Sequence, residues 1–353
     1  MNPERPETTP AFTGENIHIP DYYYFELQES EHEQIHEKKI AGTRMQDRLY
    51  ELLLPDGIYF WYCHAASNET KQIRVENPQP FIHLQFSIRS NSIYRSAKQG
   101  TTIASFGNYE YNALYFPAQE AEIEWQPQEY TETFELNIVP ELLEKHLPPG
   151  HLFLDIIRHK GHGKVVKFNE QNLPLTPQIT TILFDMLNCP LENHYKRLYM
   201  RGKVIELLAI LMHQSEQYQT TYAAHGLRQS ELKKMQQARQ LLHNNLQNPC
   251  SLIDLAHQVG TNENYLKKHF KLVFGNTVYG YIHEMRMQQA RTMLLQEEDI
   301  RKIATVSGYK HVNHFVTAFK KFFGYSPMKL KLGILSFLQS CLQYAYLFEG
   351  EWG

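Results

Sequence analysis

Cysteine is scarce in this chain: Cys63, Cys189, Cys250 and Cys341 are the only four in 353 residues, and they lie far apart. With no C-x-x-C pair and no short-range histidine pattern, they support neither a disulfide framework nor a zinc or cluster site. They read as reduced thiols of a cytoplasmic protein. Long hydrophobic runs are lacking too, and nothing reaches the ~18 apolar residues that a membrane span needs. Met1–Glu15 is polar and proline-rich, without the basic-then-apolar order of a signal peptide, so residues 1–20 read as a flexible leader. The G-x-S-x-G, P-loop, H-E-x-x-H and Rossmann patterns are all missing. The chain therefore does not read as an enzyme, and nothing in it calls for a cofactor or a metal.

Net charge is small, −3, but its distribution is uneven. Residues 227–331 hold 16 lysines and arginines against seven acids, a net +9, whereas residues 1–226 hold 19 against 29, a net −10. A basic module joined to an acidic one is the pattern expected where one half alone meets phosphates.

The basic module is built on a repeat. In Ser251–Gly275, Leu252, Leu255, Ala256 and Val259 share one helical face, and Gly260 ends that helix. Thr261 or Asn262 can cap a second helix with Tyr265, Leu266, Phe270 and Phe274 on its apolar side. Two short amphipathic helices around a glycine turn make a helix-turn-helix. Ile303-Ala304-x-x-Ser307-Gly308 repeats the first half of this pattern 48 residues on, and Phe319-Lys320-x-x-Phe323-Gly324 repeats the second half 49 residues on. Between the copies, Val278–Leu295 reads as one proline-free helix of 18 residues, about 27 Å long. Successive major-groove windows on one face of B-DNA lie ~34 Å apart, so this connector suits two reading heads on one duplex.

This double helix-turn-helix resembles the AraC/XylS family of transcription regulators. The resemblance rests on Tyr281-x4-Arg286-x3-Ala290-Arg291-x2-Leu294-Leu295 and on Gly308-Tyr309…Phe315…Phe319-Lys320-x-x-Phe323-Gly324-x-Ser326-Pro327. Val259-Gly260-x-Asn262-Glu263-x2-Leu266-Lys267-x2-Phe270 is similar to the PchR-type branch, which includes siderophore-responsive members. The family implies double-stranded DNA and RNA polymerase as partners. The branch implies a small-molecule effector, with an iron–siderophore complex among the candidates. DNA-repair enzymes share the module, but they require clustered cysteines that this chain lacks. A structural DNA-binding protein without a ligand is the other alternative.

In such heads the exposed N-terminal residues of the second helix face base edges. In the first head these are Glu263, Asn264, Lys267 and Lys268; lysine can donate to guanine, and asparagine can pair with adenine. In the second they are His311, Val312, Asn313, His314 and Thr317, a face with few charges. Many relatives carry an arginine near Thr317, so its absence shifts the second head towards positioning. Lys271, Arg301, Lys310, Lys320 and Lys321 flank the heads as phosphate contacts. Arg286 reads as an internal clamp on a carbonyl or on a carboxylate, Glu284 or Asp254.

Upstream, the sequence implies an α+β architecture of two domains. Six strands are expected over Leu49–Leu54, Ile58–His64, Phe81–Ile88, Tyr111–Phe116, Ala121–Trp125 and Tyr130–Val139. They form a small sandwich or barrel, about residues 40–139, matching the cupin-like sensor that the family resemblance implies. The paired histidines and glutamate of metal-binding cupins are missing. Trp61, His83, Phe86 and Tyr115 are candidate pocket residues. A Gly/His-rich loop, Gly150–Gly163, precedes helices that complete a sensor and dimerisation domain over 21–213, among them Thr176–Leu187 and the nearly all-apolar Tyr195–His213. A helix apolar on two sides must bury both, and a second subunit is the favoured cover, giving a homodimer. Gln214–Gly226 reads as a polar linker, 227–331 as the DNA-binding domain, and 332–353 as an extra helix that docks on protein rather than membrane.

Overall fold

Alternating apolar and polar residues make the described residues up to Ile138 mostly strand. The computed structural model describes residues 22–24, 35–41, 47–67, 69–77, 79–97, 99–117, 119–160, 164–225, 229–295, 298–330 and 332. Its strands are β1 (Tyr22–Tyr24), β2 (His36–Ala41), β3 (Arg48–Leu54), β4 (Ile58–Ser67), β5 (Lys71–Asn77), β6 (Phe81–Arg89) and β7 (Ser92–Ser96). They continue as β8 (Thr102–Phe106), β9 (Glu110–Phe116), β10 (Gln119–Trp125), β11 (Gln128–Ile138), β12 (Val166–Lys167) and β13 (Leu173–Pro174). One sheet has the order β1-β5-β10-β7-β8, and the other β12-β9-β6-β11-β4-β3-β2 with β13 also on β9.

In the larger sheet Phe134 lies opposite Tyr62 and Phe86, and Leu136 opposite Phe60 and Leu84. These rings and leucines form one buried face. Trp61, His83 and Glu135 share the other, which looks across to the smaller sheet. Both faces are covered: the first eight residues of β6 are buried without a break.

The helices are α1 (Pro140–Glu144), α2 (Leu152–Asp155), α3 (Pro177–Leu187), α4 (Asn193–His225), α5 (Gln229–Asn244), α6 (Leu252–Gln258), α7 (Glu263–Phe274), α8 (Val278–Leu295), α9 (Ile300–Val306) and α10 (Val312–Phe323). The stretch expected as a Gly/His-rich loop contains α2 and a single π-helical turn, Ile156–Lys160. His151 starts α2 by accepting from the Phe153 amide at 3.2 Å.

The described residues fall into two compact units. One holds everything described up to Leu175 together with Cys189–Met200; the other holds Thr176–Asn188 and everything described from Arg201. The boundary falls inside α4, not at Gln214–Gly226, because α4 runs on through that polar stretch to His225. Neither glycine nor proline occurs there before Gly226, and glutamine and glutamate are good helix formers. In the first unit, Lys196 pairs with Glu37 at 2.6 Å and Arg197 pairs with Asp56, fixing the start of α4 on the strands. Met200, Val204, Leu207, Leu208 and Leu211 are buried on one side of α4, while Tyr195, Leu198 and Ile205 are exposed. Apart from Leu332, the expected C-terminal helix lies outside the described residues.

Candidate functional site

The first head is assembled by caps and turns that its sequence dictates. Ser251 caps α6, its hydroxyl accepting from the Asp254 amide at 3.1 Å. Gly260, at φ +70°, makes the turn that a side chain would strain. Of the two residues able to cap α7, Asn262 does so, accepting from the Tyr265 amide at 2.8 Å. Lys234 of α5 donates to the Gly260 carbonyl at 2.6 Å and holds the turn from outside. Leu252, Leu255, Ala256, Leu266 and Phe270 are buried, which leaves Asn264, Lys267, Lys268 and Lys271 exposed along one side of α7. Lys267 pairs with Glu263 one turn back at 2.5 Å.

The second head repeats the plan with other side chains. Asp299 caps α9 by accepting from the amides of Arg301 at 2.8 Å and Lys302 at 3.2 Å. Ile303, Ala304, Phe315, Phe319 and Phe323 pack with Met287, Ala290 and Leu294 of α8. Asn313, His314 and Thr317 are exposed, but the Thr317 hydroxyl donates to the Asn313 carbonyl at 2.9 Å. Val312 is half-buried against the core of this head, which limits what it can offer a thymine methyl. Arg301 and Lys310 border an open groove at the α9–α10 turn, beside His311 and Asn313. Lys320 and Lys321 are exposed in the last turn of α10.

The heads are joined by α8, which spans Val278–Leu295 as the sequence predicts. Arg286 on it is a clamp on carbonyls, not on carboxylates: its Nε and Nη2 donate to Leu246 and Gln247 at 3.3 and 3.2 Å. Its guanidinium also lies against Gly308, where an added Cβ would be 3.0 Å from Nη1. One side chain thus links the end of α5 to the turn of the second head. Glu284, offered by sequence as its partner, is instead bonded by Asn276 at 3.4 Å, and burial pushes its carboxyl up to about 7 against that bond. Arg291 is fully buried, its guanidinium 3.2 Å from the centre of the Phe184 ring on α3.

In the strand-built unit, the two sheets enclose a narrow cavity. Trp61 and His83 line it, as the sequence predicts. Phe86 and Tyr115 are not among its lining: Phe86 points to the opposite face of β6, and Tyr115 is the neighbour of the lining residue Phe116, so strand alternation turns it away. The sequence reading missed Glu135, Asn137 and Tyr94. His83 is held on both sides, by Asn137 at 2.6 Å and the Tyr94 hydroxyl at 3.0 Å, and burial pushes its ring down to about 4. Glu135 keeps some accessible surface only because it faces this enclosed space, and burial raises its carboxyl to about 8.

Two family descriptions match the chain: “Regulatory protein PchR N-terminal domain” over residues 45–227, just over half of its length, and “Helix-turn-helix domain” over residues 255–332. Regulatory protein PchR of Pseudomonas aeruginosa is 32% identical over 158 residues, covering 45% of this chain and 51% of that protein. An uncharacterized HTH-type transcriptional regulator in the cgkA 5′ region of Pseudoalteromonas carrageenovora is 34% identical over 97 residues, 28% of this chain and 58% of that one. The matches therefore span about half of these curated relatives. Among solved structures, a transcriptional regulator with an AraC-type DNA-binding domain from Chromobacterium violaceum is 27% identical over 29% of this chain and 93% of that chain, with a TM-score of 0.28.

Proposed function

Because the chain belongs to the AraC-type helix-turn-helix regulators with a PchR N-terminal domain, we propose that it binds specific sites on double-stranded DNA and regulates transcription in response to a small molecule. The observation that carries this reading is the pair of helix-turn-helix heads on one continuous helical connector, each presenting the exposed start of its second helix. Asn264, Lys267 and Lys268 read bases in the first head, and Asn313 and His314 do so in the second, with Thr317 and Val312 contributing shape. Lys271, Arg301, Lys310, Lys320 and Lys321 hold phosphates. The effector occupies the cavity between the sheets, and RNA polymerase is the downstream partner. The protein acts in the cytoplasm, where its DNA is; among the described residues no helix is long and apolar enough to cross a membrane.

The active form is a homodimer. Its support is α4, where Tyr195 and Leu198 are 61% and 71% exposed despite being large and apolar. A second copy covers them. Leu198→Asp should give a folded monomer by sedimentation; a variant as dimeric as wild type removes α4 from the interface. DNA binding is tested by titrating the full chain against promoter duplex at two salt concentrations. Affinity should fall steeply with salt, as expected for a module of net +9. A flat response, or equal affinity for shuffled duplex, would overturn the reading.

A further inference from the structure

Resting on the reading of the cavity as the effector site, we propose that it takes a ring-bearing ligand whose polar end donates a hydrogen bond to Glu135 and carries no negative charge. The walls supply the preference for a ring. Trp61 and Trp125 meet across the sheets with centroids 5.9 Å apart, and Phe81 stacks on Phe116 at 5.0 Å. Such surfaces hold flat apolar bodies in offset or edge-on contact.

Glu135 sets the charge. It lines the cavity from β11 and makes no hydrogen bond with another described residue, so its oxygens are available to a guest. Among the described lining residues there is no lysine or arginine. The titratable groups facing Glu135 are Tyr59 and Cys63 on β4, His83 on β6 and Tyr94 on β7, and Glu51 on β3 stands on the same face beyond Trp61, its own carboxyl raised by burial. Burial drives the Cys63 thiol and the Tyr94 phenol well above their ordinary values, each assisted by the charge of Glu135, and leaves His83 neutral. No neighbour can therefore compensate an anion. A carboxylate or phenolate guest would be desolvated beside a carboxyl group with no counter-charge, a cost that hydrogen bonding to neutral groups does not offset. An alcohol or amide can donate to Glu135 in either protonation state. An ammonium guest instead displaces the Glu135 proton to solvent and pairs with the carboxylate. A ferric chelate of net negative charge is among the guests this cavity excludes.

Three probes of one size separate the possibilities: phenethylamine, 2-phenylethanol and phenylacetate. Each is titrated into the full chain at neutral pH while tryptophan fluorescence is followed, since two of the chain's three tryptophans line the cavity. Phenethylamine and phenylethanol should bind at least about tenfold more tightly than phenylacetate, and Trp125→Phe should reduce the optical response. Calorimetry in buffers of different ionisation enthalpy should show proton release with the amine but not with the alcohol. Glu135→Gln, a neutral isostere, should abolish that release and bring the amine down to the level of the alcohol. If this variant does not fold, the wild type still decides. Amine affinity should rise between about pH 6 and about pH 8 as the Glu135 proton becomes easier to displace, with the alcohol unchanged. Phenylacetate binding as tightly as the others overturns the ligand class and leaves the effector cavity standing. No response to any probe overturns both.

Discussion

The two heads share a backbone plan and differ in what they expose. At an offset of 49 residues, Asn264 corresponds to Asn313, but Lys267 corresponds to Val316 and Lys268 to Thr317. Glycine turns, buried aromatics and the cap of the first helix recur: Ser251 caps α6 and Asp299 caps α9, and Phe270 and Phe274 return as Phe319 and Phe323, but His311, in the place of Asn262, makes no side-chain cap. The repeat therefore keeps what folds a head and changes what a head can read. The first presents two exposed lysines beside an asparagine; the second has no lysine at the matching positions, and its threonine hydroxyl is already engaged with its own helix.

The strongest test of this asymmetry removes each reading face in turn. Lys267→Ala with Lys268→Ala should weaken binding to a fixed duplex by about 100-fold or more, taking about 1–3 kcal/mol for each base-reading side chain. Asn313→Ala with Thr317→Ala should cost about tenfold or less, because one of the two has no free donor. Titrations at a single salt concentration compare them. Equal losses would make the heads equivalent and end the distinction.

A smaller difference lies in the turns. Gly260 and Gly308 occupy matching places at φ +70° and +87°. An added Cβ at Gly260 meets only the end of the flexible Lys234 side chain at 4.0 Å, whereas at Gly308 it meets the clamped guanidinium of Arg286 at 3.0 Å. Gly260→Ala should cost about 1 kcal/mol through backbone strain alone, and Gly308→Ala about 2 kcal/mol as Arg286 is displaced too. Urea unfolding of both variants gives the comparison. A larger loss at Gly260 would mean that Arg286 does not hold the second head.

Helix α8 belongs to both heads and carries a buried carboxyl, Glu284, whose titration burial moves towards neutrality. The folded value of Glu284, about 7, exceeds the ordinary 4.5, so the native state keeps a proton that the unfolded chain has lost. Stability from this group is therefore fully present below about 4.5 and declines as pH rises towards about 7, by up to ~1 kcal/mol per pH unit. Glu284→Gln should flatten that part of the stability profile relative to wild type. An unchanged profile would mean that Glu284 titrates normally and that the connector is wetter than its burial indicates.

The core of the heads was legible because it follows period, and the cap of α7 was narrowed by residue type to Thr261 or Asn262. Val278–Leu295 came out to the residue, and the six strands with strong alternation were placed to within about three residues at each end. The polar strands were not seen: Lys71–Asn77 and Ser92–Ser96 contain few apolar residues, and they owe their place to pairing with β10. The cavity was half legible for a related reason. Alternation separates the two faces of a strand without saying what covers either one. Glu135 and Asn137 sit among alternating polar residues that resemble a solvent face, yet that face is the inside of the sandwich. Likewise, Gln214–His225 is polar enough to pass for a linker, but polarity does not prevent a helix that contains no glycine or proline.

The smallest expected effect concerns a charge that only the first head has. Glu263 lies at the start of α7 and pairs with Lys267 at 2.5 Å, with side chains 34% and 52% exposed; the matching position in the second head is Val312. An exposed pair of this kind stabilises a helix by only about 0.3–0.5 kcal/mol. Its loss should hardly move the unfolding midpoint. Under the proposed reading the balance differs on DNA, because a carboxylate at that place would lie near phosphates and would withhold Lys267 from a base. Glu263→Gln should therefore raise affinity by about threefold and steepen the salt dependence slightly, since one fewer negative charge opposes the duplex. The same substitution reports the opposite if Glu263 itself accepts from a cytosine amino group. Affinity would then fall at duplexes carrying cytosine at one position and stay constant at the others. A panel of single-base duplex variants, titrated with both proteins, decides whether Glu263 masks the lysine or reads a base beside it.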